Sequence, residues 1–178
     1  MRRLLKSLLL ALVVGVGTGA AQAAPAHIDA HLPQARLAGA GAFTWFTLKI
    51  YDAELWVGEK GYQAGLPFAL ELRYARKLEG KKIAEASVDQ MKKLGAGTDA
   101  QRAAWLREMA SLFPNVKEGE RITGVNLPGE GARFYLDGKV LGTVRDPAFA
   151  RAFFAIWLDP ATTARGLRTA LLKDAAPK

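Results

Sequence analysis

Arg73, Tyr74 and Arg76 close an alternating apolar run from Phe68 to Arg76. A strand arginine whose neighbours face a cavity can hold a carboxylate through a bidentate pair. The competing reading is a cross-strand ion pair with Glu71 or Glu54. Tyr51 and Trp45 share one parity of an earlier run. There an amphipathic aromatic can line a pocket and turn its polar tip to a ligand. Ordinary core packing is the alternative. Asp52 and Glu54 also share a parity, but no histidine or second acidic run stands beside them. A carboxylate pair of the glycosidase type is therefore unsupported.

Other chemistries lack their residues. The 178 residues contain no cysteine, which excludes a disulfide framework, cysteine-ligated metals and thiol catalysis. The two histidines, His27 and His31, both fall in an N-terminal lead. No phosphate-binding loop, dinucleotide fingerprint, nucleophile elbow or metal-ligand spacing is present, and no cofactor is expected. Lys77, Lys81, Lys82, Lys92 and Lys93 flank one helical segment, and a solvated helix face explains them better than nucleic acid does.

Arg2, Arg3 and Lys6 precede an apolar stretch from Ser7 to Val16, and Ala21-Gln22-Ala23 has the small-x-small form of a cleavage site. Residues 1–23 are thus expected to be a secretory signal peptide, with an uncleaved anchor as the alternative. Cleavage would lower the formal charge from +8 to +5 and place the chain in a bacterial periplasm. No second apolar run is long enough to span a bilayer.

Elements that could position these side chains follow from periodicity. Residues 24–36 read as a flexible lead, and residues 37–174 as one domain. From Phe43 to Val57 both parities carry large apolar groups, so this long segment is expected to be covered on both sides for much of its length, with a bend or bulge near Asp52 and Ala53. Phe68 to Arg76 is the next strand. Ile83, Ser87, Met91 and Leu94 give an amphipathic helix that ends at Gly95. Thr98-Asp99-Ala100-Gln101 is a capping box for a second helix, which Pro114 terminates. Arg121 to Leu127, Ala132 to Leu136 and Val140 to Val144 are strands, with Asp137-Gly138 as a two-residue hairpin turn. Asp146-Pro147 starts a helix carrying Phe149, Phe153, Ile156 and Trp157. Thr163 is positioned to cap a last helix. The fold class is α+β: an antiparallel sheet with helices against one face.

Several strings together resemble bacterial chalcone isomerase-like proteins. They are Leu37 to Gly41, Phe46 to Trp56, Leu112-Phe113-Pro114 with Glu118-Gly119-Glu120, Arg133 to Gly138, and Phe149 to Pro160. The similarity runs from about Leu37 to Leu172. It implies an open-faced β-sandwich, in which a curved antiparallel sheet and a helical layer enclose a cleft. The resembled family includes plant enzymes that cyclise chalcones to flavanones, proteins that bind fatty acids, and many bacterial members of unassigned role.

The resemblance carries site positions with it. The hydroxyl-bearing strand position falls at Tyr51. The helix tyrosine falls near Ile83, and an asparagine further along falls near Gln90. The arginine of the Gly-x-Gly-x-Arg pattern falls at Phe43. No arginine lies between Arg36 and Arg73. A phenolate or carboxylate there would lack a charge-assisted partner worth roughly 1.5–3 kcal/mol. The expectation is therefore a non-catalytic periplasmic protein that binds a small apolar ligand such as a fatty acid or lipid. Its cleft would be lined by Trp45, Tyr51, Tyr74, Phe149 and Phe153. Arg73, or failing it Lys49, would supply the cation. An isomerase acting on a chalcone-like phenol and an envelope protein-interaction module are the alternatives.

Overall fold

The computed structural model describes residues 23–177. The signal-peptide expectation falls almost wholly outside them. The order of elements is α1 (Ala26–Asp29), β1 (Arg36–Trp45), β2 (Leu48–Val57), β3 (Phe68–Tyr74), α2 (Gly80–Lys93), α3 (Asp99–Leu112), β4 (Arg121–Leu127), β5 (Gly131–Leu136), β6 (Lys139–Val144), α4 (Pro147–Leu158) and α5 (Arg165–Leu171). The six strands form one antiparallel sheet in sequence order. The expected α+β open sheet, with helices on one side, is what the chain forms.

Local chemistry sets most of the boundaries. Thr98 Oγ1 accepts from the Gln101 amide, and Gln101 Oε1 accepts from the Thr98 amide, so the capping box at α3 is complete. Asp146 caps α4 by accepting from Ala148, with Pro147 in the first turn. Asp137 and Gly138 both take positive φ, the backbone of a type I′ hairpin turn. Thr163, in contrast, does not cap α5. Its hydroxyl donates to Gln90, while Thr162 serves the local backbone.

The segment from Phe43 to Val57 is a hairpin that carries a bulge. Phe46 and Thr47 turn it into the β1–β2 hairpin. The irregularity lies at Ile50, an extra residue between the pairs Phe43–Tyr51 and Thr44–Lys49. Such a bulge re-aims the side chains beside it.

The core lies between the sheet and α2–α5. α4 is apolar on nearly every side and is buried accordingly, with Phe149 and Phe153 against Phe134. α5 presses onto β1, and a methyl group at Gly39 would collide with the Ala170 carbonyl. Glycine there is a condition of that close approach.

The lead includes α1 and packs against the sheet. Ile28 and Leu32 are buried. His27 Nε2 bonds Thr123 Oγ1 at 3.0 Å, and His31 Nε2 bonds the Tyr135 hydroxyl at 2.6 Å. Thr123 and Tyr135 are directly paired in the sheet and pair on towards Glu71 and Glu54. They belong to the face opposite the large helices, so α1 is stapled to that second face. Among the described residues, no helix is long and apolar enough to cross a membrane.

Candidate ligand-binding cavity

Strand alternation sorts the candidate side chains onto two faces. Tyr51 pairs with Tyr74, and Ala53 with Leu72, on the helix-covered face. Asp52 pairs with Arg73, and Glu54 with Glu71, on the other. Between the first face and helices α2 and α4 lies a cavity of about 530 Å³. That volume is in the range of small-molecule sites. Its walls are mainly apolar: Phe43, Ile50, Leu72, Ile83, Phe113 and Trp157 contribute, with Tyr51 and Tyr74 among them. The bulge lets the consecutive residues Ile50 and Tyr51 both reach it.

Two phenols define its polar interior. Trp157 Nε1 donates to the Tyr51 hydroxyl at 2.9 Å. The Tyr51 oxygen is thereby fixed as an acceptor, and its own proton remains available to a ligand. The Phe43 ring stacks on Tyr51, with centroids 5.2 Å apart. Tyr74 meets Tyr51 edge-on at 6.1 Å. Burial pushes the Tyr51 phenol up to about 12, and the Trp157 bond only partly offsets it. Burial, and then the neighbouring Tyr51, drive Tyr74 up as well. Both are neutral donors at any physiological pH.

The expected residues divide cleanly. Trp45, Tyr51, Tyr74 and Phe153 line the cavity. Phe149 does not; it is wholly buried between Trp105, Phe134 and Phe153. Arg73 cannot anchor a ligand here, because it points from the opposite face and pairs with Asp52 at 2.9 Å. Lys49 joins the same carboxylate at 2.6 Å. Burial alone would raise Asp52, but the hydrogen bonds and charges of Lys49 and Arg73 hold it below the usual range. The cross-strand ion pair is therefore the right reading of Arg73, with Asp52 as partner rather than Glu54 or Glu71. These residues flank a polar groove on that second face.

The positions carried over by resemblance do converge. Phe43, Tyr51, Ile83 and Gln90 all reach the one cavity. Among the described residues no arginine lines it. Its cations are Lys82 and Lys93 on α2, both solvent-exposed. Lys82 pairs with Glu85 at 2.8 Å. Lys93 makes no ion pair among the described residues. The sequence held a signal for them: eleven positions is about three helical turns, so both lysines share a face with Ile83 and Gln90. Treating all five lysines as one solvated surface hid it. No three histidine, aspartate or glutamate side chains among the described residues gather as metal ligands.

Comparison with known proteins agrees with the geometry. The chalcone isomerase-like family profile matches residues 18–173. An uncharacterized protein of Haemophilus influenzae is 30% identical over 135 residues, 75% of this chain and 66% of that protein. The match thus spans just under two thirds of that relative. The crystal structure of an Arabidopsis thaliana fatty-acid binding protein superimposes with a TM-score of 0.66, over 80% of this chain and 89% of that one, at 14% identity. At that identity the superposition speaks for the shared fold. Sequence profile, sheet topology and the convergence of carried-over positions together make this chain a member of the chalcone isomerase-like family.

Proposed function

We infer that this protein binds, without transforming it, a small amphipathic lipid of the fatty-acid class. The observation that carries the reading is the cavity of about 530 Å³: apolar walls, two neutral phenols inside and two lysines at its rim. An acyl chain would displace poorly held water from those walls, at a gain of roughly 0.8 kcal/mol for each methylene buried. A carboxylate would reach the rim, where Lys93 and Lys82 stand in water. The Arabidopsis relative with the same fold is a fatty-acid binding protein, which supports the same ligand class.

Ring closure of a chalcone asks more of the site. A phenolate must be held during reaction, and a fixed cation is the means. Phe43 stands where the resembled arginine would be, stacked on a tyrosine that stays protonated. The cavity also weighs against a pure interaction module, because the sheet–helix interface is not filled by its own side chains. The N-terminal pattern supports a periplasmic site of action, which N-terminal sequencing of exported protein would test.

The direct test is titration of delipidated protein with a fluorescent fatty acid. Saturable binding, displaced by long-chain fatty acids and not by short ones, is expected. No saturable binding, or acceleration of chalcone cyclisation over buffer, would overturn the reading.

A further inference from the structure

Four large apolar side chains are exposed among the described residues: Trp45, Phe46, Leu48 and Val140. Three of them fall within four positions, at the tip of the β1–β2 hairpin. Phe46 is 88% exposed and has a φ of 54°, a conformation that bulky L-residues rarely adopt. The protein interior repays neither cost. The aromatic neighbour of Phe46 is Trp45, 5.3 Å away edge-on and itself 57% exposed. An exposed residue held in a strained backbone points to something outside the chain.

The tip has a defined setting. Trp45 also lines the apolar cavity, so the hairpin forms part of its mouth. Lys82 and Lys93 border the same mouth from α2. Asp89 stands there too, and Glu85 pairs with Lys82. Over its length, however, α2 carries four lysines, Lys81, Lys82, Lys92 and Lys93, against those two acids.

We propose that this rim is a membrane-docking surface. Trp45, Phe46 and Leu48 enter the interfacial layer of an anionic phospholipid bilayer, and Lys82 and Lys93 meet its phosphates. Tryptophan favours that layer, and an apolar wedge beside basic side chains is the usual means of peripheral binding. Three side chains make a small patch beside the 800 Å² or so that each partner of a stable protein complex buries. They suffice to seat a loop in lipid. The cavity mouth would then open onto the acyl layer, so a chain could pass in with little exposure to water. That loading role rests on the lipid reading of the cavity; the docking surface stands on the hairpin tip.

The test is co-sedimentation of the purified protein with vesicles of phosphatidylcholine, alone or with about one third phosphatidylglycerol. The protein is expected to pellet with the anionic vesicles. The double variant Phe46→Ser/Leu48→Ser should lose at least about tenfold of that binding. Neither side chain lines the cavity and both face solvent, so its melting temperature and its fatty-acid affinity in buffer should match the wild type. Lys82→Gln/Lys93→Gln should remove the preference for anionic vesicles. Docking is overturned if the wild type stays in the supernatant with both vesicles, or if the Ser variant pellets equally well. A dimer in buffer that the Ser variant abolishes would overturn it too, assigning the tip to a second copy. Fatty-acid binding without vesicle binding sinks the docking surface alone. Vesicle binding without fatty-acid binding supports the surface and sinks the cavity reading.

Discussion

Tyr51 does two things with one oxygen. It accepts the indole N–H of Trp157, and it keeps a proton to give. Tyr51→Phe leaves that largely buried indole N–H unpaired, so stability should fall by roughly 1–3 kcal/mol in urea unfolding. Tyr51→Phe/Trp157→Phe removes both partners and should lose less than the sum of the two single losses. A double variant less stable than the sum of the two singles would contradict the pairing. With the phenol pushed up to about 12, ultraviolet titration should show no ionisation of Tyr51 at the ordinary tyrosine value near 10. Arg73 shows what sequence withholds at this scale. Alternation along its own strand sets Arg73 apart from Tyr74, yet the expectation put both at one cleft and missed Asp52 as the partner. Which face the helices would cover depends on contacts far along the chain. The pattern alone could therefore not tell an anchor from an ion pair.

Elements were legible where their signals are local. The α3 capping box, the α4 cap and the type I′ turn each need only neighbouring residues, and each formed as read. Asp146 also accepts from Trp105 Nε1 at 2.8 Å. Those hydrogen bonds overcome the upward push of burial and hold its carboxyl below the usual range. Asp146→Ala should therefore cost roughly 2–4 kcal/mol in thermal or urea unfolding, against about 1 for Thr98→Ala. Equal losses would contradict that.

Elements fixed by distant partners were not legible. α1 has no amphipathic pattern of its own, and its His27 and the following His31 bond residues 96 and 104 positions away. The β1–β2 turn carries Phe-Thr, with none of the usual turn residues. The α1 staple should be acid-sensitive. Burial, and then the charge of His31, lower His27. Burial and Arg133 lower His31 against the opposing pull of Glu130. Glu71 lies 3.7 Å from His27, but Thr123 donates to that carboxylate and receives from His27, so the charge is met through the hydroxyl. The folded chain thus binds fewer protons than the unfolded one once pH drops below 6.5. Stability should rise with pH up to about 6.5 and be lost as acid is added. Glu54, raised by burial and by the Glu71 charge, gives the opposite slope from 4.5 upward. Melting temperatures between about pH 5.5 and 7.5, compared between the wild type and a variant without the two histidines, separate their contribution from that of Glu54. His27→Gln/His31→Gln should flatten the profile; an unchanged slope would contradict the assignment.

The whole molecule sets an apolar cavity on one face of the sheet and a charged, partly stapled surface on the other. Element order and fold class followed from periodicity, because strands adjacent in sequence usually pair, and here they do so even across the α2–α3 insertion between β3 and β4. The empty space did not. A cavity is a mismatch among side chains from six or more elements, and composition does not report it. The most direct measurement is calorimetric titration of a long-chain fatty acid into delipidated wild type and into Ala86→Trp. Ala86 sits exposed on α2 at the cavity wall, so an indole there should plug the mouth without disturbing the core. Saturable one-to-one binding by the wild type, weakened at least about tenfold in the plugged variant, is the predicted result. Equal affinity in both proteins, or no saturable heat in either, would contradict the account.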